Sequence, residues 1–70
     1  MNTYRIYEGV ECAGEINAAS GTEAVTTWVL QNYPNAPRVL TGFAADGSAH
    51  ATYCEDRMMR EVLSAFAYRV

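Results

Sequence analysis

Cys12, Cys54 and His50 carry the most reactive chemistry in this sequence, because a thiolate beside an imidazole is a nucleophile with its own base. His50 precedes Cys54 by four residues. On one strand the two share a face, but their Cα atoms then stand roughly 13 Å apart, too far for direct proton transfer. Cys12 reaches His50 only through a tertiary contact that the sequence does not specify. A structural zinc site takes four Cys or His ligands, and two cysteines with one histidine cannot supply them. The two cysteines are expected to be free, largely buried thiols, with a disulfide or a reactive thiol as the alternative. Gly-x-Ser-x-Gly, a Walker A loop, a dinucleotide fingerprint and a metal-binding histidine pair do not occur. These residues therefore point to a protein that is not an enzyme and needs no cofactor or metal.

Binding chemistry is better represented. Glu8, Glu11 and Glu15 cluster around a short loop and could engage arginine or lysine of a partner through charge-assisted hydrogen bonds; the plainer reading is a solvated acidic loop. Arg5, Tyr7, Thr41, Phe43, His50 and Thr52 would share one sheet face if their strands are adjacent. Arginine with aromatic residues is the mixture enriched at protein interfaces, and it also occurs on single-strand RNA platforms. The competing reading is that a helix covers this face. Trp28 and the pair Met58/Met59 could line a ligand pocket, but their helical spacing assigns them to a core.

The elements that must position these side chains follow from local pattern. Residues Thr3 to Glu8 alternate as a strand, with Tyr4 and Ile6 on one side and Arg5 and Tyr7 on the other. A loop over Gly9 to Cys12 leads to a return strand from Ala13 to Ala19, with Gly14, Ile16 and Ala18 on one face. Ser20-Gly21-Thr22-Glu23 has the form of a capping box. The helix it opens carries Ala24, Val25, Trp28 and Val29 as its apolar stripe and runs to about Asn32, because Pro34 forces the preceding residue out of helical geometry.

Arg38 to Ala45 and Ser48 to Cys54 read as a hairpin joined by Asp46-Gly47. A two-residue type I′ turn there pairs Phe43 with His50, Thr41 with Thr52 and Val39 with Cys54. On the opposite face it sets Ala44 against Ala49, Gly42 against Ala51 and Leu40 against Tyr53, a trough of small residues that Trp28 would fill. The remainder, from about Glu55, reads as a second helix. Met59, Val62, Leu63, Phe66 and Val70 recur at helical spacing, and Asp56–Arg60 and Arg57–Glu61 form (i, i+4) pairs.

The expected architecture is α+β: a β-β-α-β-β-α two-layer sandwich with a four-stranded, mainly antiparallel sheet and two helices, both favoured on the Leu40/Gly42/Tyr53 face. Seventy residues make one domain, residues 1–70, of marginal stability. Half of the residues are hydrophobic and 19 % are charged, which excludes a disordered chain. The formal net charge is −3 and the basic residues are all arginine, so duplex DNA and anionic membranes are disfavoured ligands. No run of eighteen apolar residues and no signal-type start occurs, and a cytoplasmic location is expected.

Met1-Asn2-Thr3-Tyr4-Arg5-Ile6, the short acidic hairpin, Ile16-Asn17-Ala18-Ala19-Ser20 and the following Glu23-Ala24-Val25 form an ordered pattern across about Met1 to Cys54. In that order of features the chain resembles small phage-encoded anti-CRISPR proteins, inhibitors of type I CRISPR effector complexes. The resemblance implies a stoichiometric inhibitor that occupies a Cas subunit surface and blocks target DNA binding or the nuclease. It also implies a role for Glu8, Glu11 and Glu15 against a basic surface that would otherwise hold nucleic acid. Arg5, Tyr7, Phe43 and His50 complete the candidate partner-binding set, with the chain acting as a monomer or a homodimer. The alternatives are a self-associating structural or regulatory domain, dimeric through Met59, Val62 and Phe66 of the terminal helix, and a single-strand RNA-binding sheet using Phe43.

Overall fold

A computed structural model describes residues 1–54 and 61–70. The elements run β1 (Asn2–Glu8), β2 (Glu11–Ala18), α1 (Gly21–Asn32), β3 (Val39–Phe43), β4 (Ala49–Cys54) and β5 (Val62–Arg69). All pairings are antiparallel, in the order β2-β1-β5-β4-β3. The described residues thus form an α+β domain of five strands and one helix, which corrects the expected four strands and two helices.

The first half follows its local signals. β1 and β2 pair with Tyr4 opposite Ile16 and Ile6 opposite Gly14, placing both apolar sets on one side. The Ser20 hydroxyl accepts the Glu23 N–H at 3.2 Å, and the Glu23 carboxylate accepts the Ala19 N–H at 2.7 Å, one residue before the cap. Ala24, Val25, Trp28 and Val29 are all buried. Ser20→Ala is expected to cost about 1 kcal/mol, because it leaves a first-turn N–H without its acceptor. Thermal denaturation followed by circular dichroism checks this, and an unchanged melting temperature would show the cap to be idle.

The terminal segment departs from its helical reading. Val62–Arg69 forms the central strand, bonded to β1 on one side and β4 on the other. The same residues that recur at helical spacing also alternate: Leu63, Ala65 and Ala67 face α1, while Val62, Ser64, Phe66 and Tyr68 face away. The two periods cannot be separated over so short a run, and two neighbouring strands with open hydrogen-bonding edges decide the matter. The proposed start of that helix, with Met58, Met59 and the pairs Asp56–Arg60 and Arg57–Glu61, lies outside the described residues apart from Glu61. A dimer through a terminal helix stripe loses its basis, since Val62 and Phe66 belong to a strand.

The second hairpin is slipped by one residue from the expected register. Val39 pairs with Tyr53, Thr41 with Ala51, Gly42 with His50 and Phe43 with Ala49. The Gly47 N–H donates to the Ala44 carbonyl at 2.9 Å, and the Ala44 N–H donates to the Ser48 carbonyl at 2.8 Å. The loop is therefore Ala45-Asp46-Gly47, three residues long, with Gly47 at φ +87°. A type I turn followed by a left-handed glycine uses the same Asp-Gly pair as a type I′ turn but adds one residue, which turns every β3 side chain to the other face. The Asp46 carboxylate secures the turn by accepting the Ser48 N–H at 2.9 Å and its hydroxyl at 2.6 Å.

The core lies between α1 and one sheet face. Ala49 and Ala51 of β4 and Ala65 and Ala67 of β5 present small side chains beneath the helix, with Ile6, Val25, Val29 and Tyr53 as the largest fully buried groups. A Cβ at Gly21 would stand 3.0 Å from the Ala49 Cβ, so the first helical turn rests almost on β4. Leu40 and Gly42, expected under the helix, occupy the opposite face; Val39 and Tyr53 take the helix side. Within the described residues no helix is long and apolar enough to cross a membrane.

Candidate functional site

One face of the sheet has no helix over it among the described residues. Arg5 and Tyr7 come to it from β1, Glu15 and Cys12 from β2, Phe66 and Tyr68 from β5, His50, Thr52 and Cys54 from β4, and Leu40 from β3. Alternation along five paired strands sets these residues side by side.

Contacts on this face are lateral. Arg5 Nη2 and Nε lie 3.1 and 3.3 Å from Glu15 Oε2. Hydrogen bonding to Glu15, and then to Tyr7, raises the guanidinium above its already high ordinary value, so Arg5 keeps its charge throughout the accessible pH range. The Tyr7 and Tyr68 rings meet edge to face at 5.6 Å, which fixes both rings without covering them. A cleft of about 360 Å³ opens beside that pair, lined by Arg5, Tyr7, Gly9, Tyr68, Arg69 and Val70. Further along, the His50 and Phe66 rings stack at a tilt, 5.9 Å apart. The imidazole lies over Gly42: a Cβ there would approach His50 Nε2 to 3.2 Å. His50 therefore packs between Gly42 and Phe66 and not against Phe43.

Four of the seven residues singled out from the sequence, Arg5, Tyr7, Glu15 and His50, share this face. Phe43 does not. The one-residue slip places it on the helix side at the sheet margin, 71 % exposed, and carries Thr41 with it. Glu11 stands exposed at the end of the β1–β2 hairpin.

Glu8 points into the helix side. Its Oε2 accepts the Tyr53 hydroxyl at 2.8 Å and the Tyr33 hydroxyl in a short hydrogen bond. The Tyr33 and Tyr53 rings lie 5.1 Å apart, and Trp28 contacts both edge-on. Burial, then hydrogen bonding to Glu8, pushes the Tyr53 hydroxyl above its ordinary value of 10.0. The three carboxylates expected to act together are thus divided. Glu8 closes the core beneath the end of α1, Glu15 neutralises Arg5, and only Glu11 stays exposed and unmatched by a described cation.

Cys54 is buried as expected, but Cys12 is exposed and both thiols are free. Cys12 sits exposed on an edge strand opposite Tyr7. Two strands separate β2 from β4, a span of roughly 14 Å across the sheet, so Cys12 and Cys54 of one chain are too distant for a disulfide. The same geometry keeps Cys12 from His50. No group of three or more His, Cys, Asp and Glu side chains that could hold a metal ion occurs among the described residues.

The sequence reading missed Tyr68, Phe66 and Leu40 as members of the open face, and Tyr33 and Tyr53 as the partners of Glu8. A signal for part of the first group was present: from Ala65 to Tyr68 alanine alternates with an aromatic residue, the pattern of a two-sided strand. No local signal joins Glu8 to Tyr53, which lies 45 positions away.

Comparison of the chain with protein-family models, with curated proteins and with solved structures finds no match.

Proposed function

We propose that this protein is a non-enzymatic binding module that docks another protein on the uncovered face of its sheet and acts by occupying the partner's surface. One observation carries the reading: Tyr7, Phe66, Tyr68 and His50 form two ring pairs on a five-stranded platform, with the ion pair Arg5–Glu15 internal to that face. Rings already held by neighbours lose little freedom on binding, and tyrosine, phenylalanine and arginine dominate the energetics of protein interfaces. The cleft beside Tyr7 and Tyr68 suits a single anchoring side chain of the partner. The resemblance drawn from Met1 to Cys54 supplies the partner class, a Cas subunit of a type I CRISPR effector, with inhibition of DNA binding or nuclease action as the outcome.

Contact chemistry shifts from the acidic loop to the sheet. Glu8 is engaged by two tyrosines and Glu15 by Arg5, so Glu11 is the one member of that trio left to meet a basic surface.

A target-DNA binding assay with a purified type I effector tests the reading. Wild-type chain is expected to inhibit at a stoichiometric ratio. Tyr68→Lys is expected to weaken inhibition about 30-fold or more, the loss typical of a central interface residue, with an unchanged circular dichroism spectrum. Glu11→Lys should weaken it only a few-fold. Equal potency of Tyr68→Lys and wild type would overturn docking on this face. Absence of inhibition by the wild type would remove the effector as partner, and a salt-sensitive complex with single-stranded RNA would replace protein docking by base stacking on the same rings.

A further inference from the structure

We propose that β3 is a self-pairing edge, along which two copies of this chain join antiparallel about a two-fold axis at Thr41 to make one continuous sheet of twice the width.

The backbone of β3 offers the bonds. The Ala44 N–H and carbonyl both face β4, as their bonds to Ser48 and Gly47 show. Direction alternates along an antiparallel strand, so Gly42 and Leu40 also bond to β4, and Val39, Thr41 and Phe43 point their N–H and C=O groups away from the sheet. β3 ends the strand order, and no described strand lies beyond it.

The two edges of the sheet differ in how they meet other strands. β2 carries Glu11 and Glu15, and its pairing with β1 shifts register beside Tyr7. Charge and irregular pairing are the usual protections against edge-to-edge association. β3, Val-Leu-Thr-Gly-Phe, has neither charge nor an irregularity in its pairing with β4. It also leaves large apolar groups in water on both sides, Leu40 at 58 % exposure and Phe43 at 71 %.

A two-fold axis at Thr41 matches these groups. Val39 meets Phe43 of the second copy on the helix side, Leu40 stands opposite Gly42 of the second copy on the open side, and the two Thr41 residues face one another. Apolar groups meet apolar groups, the leucine comes beside the His50 imidazole that lies over Gly42, and a threonine pair is favourable across strands. Other two-fold centres leave part of the strand unpaired; an axis at Leu40 brings Arg38 into the pairing opposite Gly42. An axis perpendicular to the sheet keeps both helices on one side and both uncovered faces on the other. The pairing does not depend on the proposed function, although it would widen the docking face.

Sedimentation equilibrium of the full chain, under reducing conditions and from micromolar to near-millimolar concentration, tests the proposal. The expected result is a mass twice that of the 7.7 kDa chain at the upper end. Thr41→Lys and Thr41→Glu should each halve that mass with an unchanged circular dichroism spectrum, because like charges then face one another at the axis. An equimolar mixture of the two variants should recover the doubled mass, a rescue that requires position 41 to meet position 41. If either variant fails to fold, Phe43→Lys carries the same test through the outermost pair. A wild-type chain that remains monomeric, leaving the edge to a strand of another protein, overturns the proposal. So does a dimer that survives Thr41→Lys, or a mixture that does not reassociate.

Discussion

Trp28→Ala is expected to remove about 3–5 kcal/mol of stability, the usual cost of emptying a large aromatic site in a packed core. Trp28 is buried at the contact between α1 and the sheet, with the Tyr33 and Tyr53 rings at 6.1 and 6.5 Å. The surrounding residues cannot close the space. Beneath the helix lie Ala49, Ala51, Ala65 and Ala67, whose methyl groups have no reach. A domain of this length holds only roughly 3.5–10 kcal/mol in total, so the variant should lose at least about a third of its stability, and all of it at the lower end of that range. Urea denaturation followed by far-ultraviolet circular dichroism measures the loss, since removing the single tryptophan also removes its fluorescence. Trp28→Phe should retain more than half of the lost stability. A cost below about 1 kcal/mol for the alanine variant would show that this ring is not part of the core.

The second large effect is an alkaline limit set by Tyr53. Its hydroxyl is buried and donates to Glu8 at 2.8 Å, and both influences favour the protonated phenol. The folded state therefore keeps a proton that the unfolded chain releases near pH 10. The sign follows from linkage: a group whose value is raised on folding contributes its full stabilisation below the unfolded value, and that contribution falls as pH rises past it. Stability should be insensitive to this group below about pH 9 and then decline by about 1.4 kcal/mol per pH unit above pH 10. Tyr53→Phe should abolish that part of the slope, at a cost of about 1 kcal/mol at neutral pH for the lost hydrogen bond. Glu8→Ala should cost about 1–3 kcal/mol at neutral pH, because it leaves the buried Tyr53 hydroxyl without its acceptor. Denaturant midpoints between pH 7 and 11 read all three chains. The same alkaline slope in Tyr53→Phe and in wild type would sink the assignment.

The Glu8 prediction bears on how binding is tested. A charge-reversed Glu8 would lower stability along with any binding, so a loss of inhibition would not by itself locate an interface. Variants at Glu11 and Tyr68 avoid that ambiguity, since both residues are exposed and neither closes the core.

Several features were legible because neighbouring residues encode them. Ser20 caps the helix with the N–H of Glu23 three positions on, Pro34 follows the helix end, and the stripe of Ala24, Val25, Trp28 and Val29 needs only a period of 3.6. The alternation of β1 and the face of β2 bearing Ile16 and Ala18 are equally local. Asp46-Gly47 located a turn, but a turn of two residues and one of three with a left-handed glycine share that dipeptide. The difference of one residue moved Phe43 and Thr41 to one face and Leu40 to the other. Val62 to Tyr68 satisfied both a helical and a two-residue period, and nothing within the segment arbitrated.

Residue order alone thus determined that the chain turns at Gly9 and at Asp46-Gly47, where α1 begins and stops, and which side of that helix is buried, because each rests on contacts within a few positions. The tertiary structure decided that Val62–Arg69 is the central strand, that Glu8 is held by Tyr33 and Tyr53, and that the aromatic residues share a face with no described helix over it. Those outcomes depend on hydrogen bonds and packing between residues tens of positions apart, whose pairing is chosen by the free energy of the whole sheet and not by the preference of any one segment.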